Sequence, residues 1–295
     1  MDLFQNKCYF INEISKKTCF NAVSTPKSVL YRGGKGNIMS QDKMPELLAV
    51  GESHQGCVRS HNEDNYLCIS NYGGYCFAAV ADGVGGHSAG ERASYLCCHR
   101  LMLEWKALFK SDPAPTDARI TSFLMDSVIL ANKDITGLNR MLHKKHHPMC
   151  TTLAAAVFTP QMVIVVHVGD SRVYCSRQNS FNLLTIDHTV QNELVEHGIT
   201  APEQLPSAHV ISKAIGSDRY LKPELHTFFR TPQDRYLLCT DGLTNCLSNV
   251  EINKILAEAA APRQAKDRLI RQTLMRGAAD NVTVVAVFPK TDKDA

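Results

Sequence analysis

Four apolar runs of this 295-residue chain end in, or begin just after, an aspartate. They are Asp82 in CFAAVADGVGG, Asp170 in VIVVHVGDSR, Asp241 in RYLLCTDGL and Asp280 in GAADNVTVV. An acidic pair, Glu63-Asp64, stands in RSHNED. Taken singly, Asp-Gly and Asp-Asn are turn dipeptides that commonly close hairpins. Taken together, four carboxylates at strand ends plus an acidic pair point to one cluster at the open edge of a sheet. Carboxylates that face one another repel unless cations sit between them. An all-oxygen donor set favours hard ions such as Mg²⁺ or Mn²⁺ over zinc. Arg59 precedes the acidic pair, and its planar fork of donors matches two oxygens of a phosphate group. An arginine near acids is otherwise an ordinary surface ion pair, so Arg59 carries weight only beside the cluster.

The runs that must hold these carboxylates have few polar positions. LLAVG, CFAAVADG, TTLAAAVF, MVIVVHVGD, RVYC, DRYLLCTDG and NVTVVAVF read as strands in sheets covered on both faces. Helical spacing marks residues 88–109 and 116–142, with Thr116 or Asp117 as N-cap, and two helices over 250–276 broken at Pro262. Hairpin-like succession of strands with helices between them predicts an α+β fold, an antiparallel β-sandwich with helices packed outside. Residues 1–44 read as a basic, turn-rich N-terminal extension, 45–290 as the catalytic domain and 291–295 as a tail.

Composition removes several alternatives. The 44% hydrophobic and 21% charged residues are those of an ordinary globular chain. The net charge of +3 is too small for a nucleic-acid footprint, and the extension holds the excess, leaving 25 basic and 26 acidic residues beyond it. No apolar run approaches the ~20 residues of a membrane span, and no secretory signal precedes the first strand. Eleven cysteines in no regular framework, several inside apolar runs, fit a reduced cytoplasmic chain.

In order along the chain stand GCVRSHNEDNY, VADGVGGHSAGERAS, CTTLAAAVF, HVGDSRVY, LTIDHT, ISKAIG, LLCTDGL and ADNVTVVAV. This series resembles the type 2C metal-dependent protein phosphatases, most closely their bacterial branch, over roughly residues 47–288. The resemblance implies two antiparallel sheets flanked by helix pairs, and a role for each acidic position. Asp82 would bridge two metals, with the Gly83 carbonyl completing the second site. Asp241 and Asp280 would hold the first metal, with Asn281 beside them counted among the metal-site residues. Glu63 and Asp64 would hold the second, directly or through water. Asp170, with Asp241, would hold a third and weaker ion, and Arg59 would bind phosphate. Two such cations acidify the water between them, so phosphoserine or phosphothreonine is hydrolysed in line without a covalent phosphoenzyme. The implied partners are phosphorylated proteins, the substrates of a Ser/Thr kinase or the kinase itself, acted on by a monomer. All the core-metal aspartates are present, which favours an active enzyme over a pseudophosphatase that only binds phosphoproteins; a small-molecule phosphate-ester hydrolase uses the same metal pair.

Two positions depart from the family pattern. Val84 stands where many eukaryotic members carry a histidine after Asp-Gly. His87, three residues later, fits the Gly-Gly-His of bacterial members, where it would either order the loop and following helix or protonate the leaving group. Cys150 stands where a glycine usually precedes Thr-Thr. Residues 188–210 resemble a flap beside the site, with Gly198 and two prolines suiting a mobile lid. The HKKHHP cluster at 143–148 lacks zinc spacing and reads as a solvated helix end.

Overall fold

The computed structural model describes residues 44–290 apart from 86–87, 143–147, 179, 202–204, 208 and 218–219. The expectations for the N-terminal extension before residue 44, His87, residues 143–147 and the 291–295 tail lie outside the described residues.

Strands whose every residue is apolar must be covered on both faces, and the burial follows that rule. β3 (Tyr75–Val84), β5 (Leu153–Phe158), β6 (Met162–Val168) and β11 (Val282–Pro289) are buried over almost their whole length. The others are β1 (Leu47–His54), β2 (Asp64–Tyr72), β4 (Cys150–Thr151), β7 (Arg172–Arg177), β8 (Ser180–Leu183), β9 (Glu224–Phe229) and β10 (Arg235–Cys239). They form two antiparallel sheets. One runs β1-β11-β10-β7-β8, the other β2-β3-β5-β6-β9 with β4 paired to the end of β3.

Among the described residues six helices complete the layers: α1 (Ser88–Ser111), α2 (Asp117–Met141), α3 (Val190–Glu196), α4 (Asp241–Thr244), α5 (Asn249–Glu258) and α6 (Pro262–Met275). Thr116 caps α2 by accepting from Arg119 N–H, and Pro262 opens α6, where its missing N–H costs nothing. Three apolar cores separate the layers. α1 and α2 pack on the β2–β9 sheet around Trp105, Phe77, Phe123 and Leu124. The two sheets meet through Ala78, Val80, Ala154, Ala156 and Val165 on one side and Val173, Leu238, Val285 and Val287 on the other. α5 and α6 cover the outer face of the second sheet through Ile252, Leu256, Leu269 and Phe288. The expected sandwich with helices on both outer faces is therefore the observed architecture. Among the described residues no helix is long and apolar enough to cross a membrane, and nine cysteines are free thiols.

Three strands escaped the sequence reading. β2, β8 and β9 are half-exposed edge strands whose side chains mix polar and apolar types, so they lack the apolar run that marked the others.

Candidate metal and phosphate site

Strand direction decides which residues share an end of the sandwich. In the first sheet Cys239 pairs with Arg172 and Val284, and His54 with Val282. The segments just beyond these pairs are Gly169–Ser171, Thr240–Asp241, Asp280–Asn281 and the loop from Gln55 to Glu63. In the second sheet Asp64 is directly opposite Asp82, and Leu153 opposite Val168. All of the sequence-predicted carboxylates thus fall at one end of the two sheets, including Asp170 where the chain passes from β6 in one sheet to β7 in the other.

The backbone here is tightly packed. Gly83 N–H donates to the Glu63 carbonyl (3.2 Å), and Asp82 exchanges bonds with Thr152: its N–H donates to Thr152 Oγ1 (3.0 Å), and its carbonyl accepts from Thr152 N–H (2.8 Å). Ser94 of α1 donates to the same Glu63 carbonyl (2.6 Å). A methyl group on Gly83 would lie 2.3 Å from the Gly90 carbonyl oxygen, and one on Gly90 would lie 2.5 Å from Glu63 Oε2. Glycine at both positions lets the start of α1 rest on the end of β3 beside the Glu63 carboxylate.

Asp64 bridges the two sheets. Its Oδ2 accepts from Thr240 Oγ1 (2.9 Å) and Thr283 Oγ1 (2.7 Å), and Thr283 is further linked to Ser53 (2.7 Å). The sequence reading missed both threonines, because a Thr in an apolar strand carries no signal of its partner. Arg59 donates to Asp280 Oδ2 (2.8 Å), with both side chains partly exposed. Asn281 differs from its expected place in the metal set. Its Oδ1 accepts from Glu63 N–H (2.8 Å), and its Nδ2 donates to the carbonyls of Gln55 (2.8 Å) and His61 (2.9 Å). An amide bonded to three backbone groups is a loop clamp rather than a metal donor. Val84 packs on a small apolar cluster of Cys150, Ile211 and Ala214. Cys150 of β4 is thus a buried filler against Ile211 and Ala214.

The electrostatics report the same crowding. Burial pushes Glu63 up to about 7, with Asp280 and Glu91 adding to it and Arg59 opposing. Burial also pushes Asp64 up to about 7; its two threonines oppose this, while Asp241 and Asp280 add to it. Asp280 is raised by burial and then by Asp241. Glu63, Asp64 and Asp280 therefore resist being ionised together, and only oxygen donors are present in the cluster. That donor set fits a hard divalent cation, which would remove the repulsion.

Beside this cluster lies a cavity of about 400 Å³, lined by Asp170 and Asp241 on one side and by Thr189, Gln191 and Asn192 at the start of α3 on the other. Arg172 and Asp187 form an ion pair in its wall (2.6 Å). The described part of the 188–210 segment includes α3, capped by Thr189, and the turn at Gly198; Thr189, Gln191, Asn192 and His209 of this segment line the cavity.

A second ionisable group stands apart. His167, His188 and Glu224 present ligand-type atoms within 4.8 Å of one another. Gly169 N–H donates to His188 Nδ1 (3.1 Å), so the ring proton sits on Nε2, 2.9 Å from Glu224 Oε1. That tautomer serves the carboxylate and has no lone pair left for an ion. The His167 and His188 rings are also stacked (4.6 Å, 13°), which directs their nitrogens side by side instead of toward one point. The group works as a brace that ties Gly169, next to Asp170, to β9.

Residues 50–276 match the family described as Protein phosphatase 2C. The serine/threonine phosphatase stp of Listeria welshimeri is 34% identical over 247 residues, 82% of this chain and 95% of that protein. The serine/threonine phosphatase PstP/Ppp of Mycobacterium tuberculosis has the same fold (TM-score 0.71, 32% identity, covering 83% of this chain and 100% of that one). A PstP catalytic domain in complex with two manganese ions is similar at TM-score 0.69 and 32% identity, covering 82% of this chain and 98% of that one. The chain belongs to the protein phosphatase 2C family.

Proposed function

We propose that this protein hydrolyses phosphoserine and phosphothreonine in phosphoproteins, using divalent metal ions held at the end of the β-sandwich. The observation that carries the reading is the convergence of Glu63, Asp64, Asp82, Asp241 and Asp280 from separate segments beside Arg59. Relatives at 32–34% identity are named serine/threonine phosphatases, and one similar domain holds two manganese ions.

Asp82, the Gly83 carbonyl, Asp241, Asp280 and Glu63 would hold two ions, Mg²⁺ or Mn²⁺, with Asp64 supporting them from behind. Asp170 and Asp241 would hold a third, weaker one. When bound, such ions supply a water acidic enough to attack phosphorus near neutral pH and offset the charge of the phosphoryl oxygens. Arg59, held beside the cluster by its ion pair with Asp280 (2.8 Å), would engage the phosphate oxygens. Water is consumed, and the seryl or threonyl hydroxyl and inorganic phosphate are released. No cysteine nucleophile is required. Burial raises the thiols of Cys76, Cys97, Cys98, Cys175 and Cys239, which keeps them protonated. The cavity between Asp170 and α3 suits the chain flanking the phosphorylated residue. The substrates are products of a Ser/Thr kinase, or the kinase itself, and the free thiols suit a reducing cytoplasm.

The test is hydrolysis of p-nitrophenyl phosphate and a phosphothreonine peptide, with and without Mn²⁺, by wild type and Asp82→Asn. Metal-dependent turnover lost in the variant supports the reading, and higher activity on the peptide supports a protein substrate. A folded, metal-loaded wild type without turnover refutes it.

A further inference from the structure

The loop Gln55–Glu63 carries Arg59 near its centre and Glu63 at its end, yet it contains no helix or strand before β2 begins at Asp64. A segment of that kind holds a functional geometry only if something outside it fixes the backbone. The contacts converge on residues 278–281. Gly56, at φ +82°, leaves no room for a side chain: a methyl group there would lie 2.2 Å from the Asp280 carbonyl oxygen. Cys57 N–H donates to the Ala278 carbonyl (2.9 Å). At its far end the loop is held by Asn62 Nδ2 donating to Ser53 Oγ (2.8 Å) and by Gly83 N–H and Ser94 Oγ on the Glu63 carbonyl. Asn281 adds three bonds that reach both its ends.

We infer that Asn281 is a positioning residue that sets Arg59 and Glu63 against Asp280. Its single acceptor meets the Glu63 amide and its two donors meet the Gln55 and His61 carbonyls, a pattern that a flipped amide could not satisfy. One NH₂ group bonded to both carbonyls holds their oxygens about 5 Å apart. It thereby pinches residues 55–61 into a closed loop with Arg59 on its crest. Gln55 Nε2 reinforces the crest by donating to the Arg59 carbonyl (2.5 Å). Because Asn281 directly follows Asp280, one amide locks the phosphate-binding arginine, one candidate metal ligand and a second to the same strand end. No other residue type offers one acceptor and two coplanar donors at this length; aspartate keeps the acceptor and loses both donors.

The inference deepens the phosphatase reading and rests on it for its kinetic consequences, so the test has one readout independent of activity. Amide hydrogen exchange of the metal-free protein reports the clamp itself. Asn281→Ala is expected to speed exchange at the Glu63 amide about tenfold or more, while β11 beyond Val284 keeps its wild-type rates. In Asn281→Asp the Glu63 amide stays protected, because a carboxylate oxygen still accepts from it, but the Gln55 and His61 carbonyls now face a negative charge. The kinetics should split accordingly. Asn281→Asp raises KM for a phosphothreonine peptide about tenfold without weakening Mn²⁺ half-saturation. Asn281→Ala raises both. In an Arg59→Ala background Asn281→Asp changes KM by no more than about twofold, since it acts through Arg59. Unchanged Glu63 exchange in Asn281→Ala overturns the clamp. KM effects that multiply independently of Arg59→Ala overturn the positioning role. A wild type without metal-dependent turnover refutes the phosphatase reading instead, and leaves the exchange result to judge the clamp alone.

Discussion

Asp64 is a carboxylate taken out of water and held in place by two hydroxyls, Thr240 just beyond β10 and Thr283 in β11. Removing one donor from a buried acceptor costs its desolvation without replacement. Thr283→Val should therefore lose about 1–3 kcal/mol in urea denaturation and weaken Mn²⁺ half-saturation, with Thr283→Ser closer to wild type. The carboxylates and the arginine separate by kinetics. Asp241→Asn should abolish turnover, whereas Arg59→Ala should mainly raise KM for a phosphopeptide; small, equal effects from both would contradict the proposed site. His167 makes a pH prediction. Burial, and next the neighbouring His188, lower it from 6.5 to about 4, so between those values the unfolded chain binds more protons than the native one. Stability accordingly falls as pH drops through this window, by up to about 3 kcal/mol from this ring. Chemical denaturation at pH 7 and pH 4.5 should show a flatter profile for His167→Asn than for wild type.

At the scale of elements, the site depends on where strands stop and helices start. α1 begins with its first turn against β3, and Gly90 is the contact point. The methyl group of Gly90→Ala would meet Glu63 Oε2 at 2.5 Å and the Gly83 carbonyl at 2.8 Å. Neither the strand end nor the helix can retreat without disturbing the Trp105 core. The variant should cost about 1–3 kcal/mol and raise the Mn²⁺ concentration needed for half-maximal turnover, both measured on the same preparation. The crossing from β6 to β7 is braced in a different way: the His188 ring Nδ1 accepts from Gly169 N–H, and the His188 backbone N–H donates to the Gly169 carbonyl (2.9 Å). The brace connects the Asp170 turn to the segment from which α3 starts, so the cavity wall and one carboxylate are one mechanical unit.

For the whole molecule, the two sheets approach through small side chains, Ala78, Ala154 and Ala156, all fully buried. Ala156→Leu would overpack that interface at a cost of about 1–3 kcal/mol. It would also spread the sheet ends, so activity should fall further than stability alone accounts for. A cation that binds only the folded form stabilises it by mass action. Mn²⁺ should raise the melting temperature of wild type, chelation should reverse the gain, and Asp82→Asn should show little of it.

Much of this was legible in the residues themselves. Strands buried on both faces announce themselves as unbroken apolar runs, and helices by their period and by Thr116 and Pro262 at their starts. Aspartates at four strand ends already implied a cation site, because that pattern is local and chemically costly without an ion. The tertiary structure alone decided the rest. Edge strands β2, β8 and β9 are defined by the partners they pair with, not by their composition. Thr240 and Thr283 gain their role only when two sheets bring them onto Asp64. Asn281, adjacent to Asp280 in sequence, faces loop backbone more than two hundred residues away. A carboxylate's chemistry is written in its type, but an amide's depends on which groups the fold places at hydrogen-bond distance, and only the folded chain sets that distance.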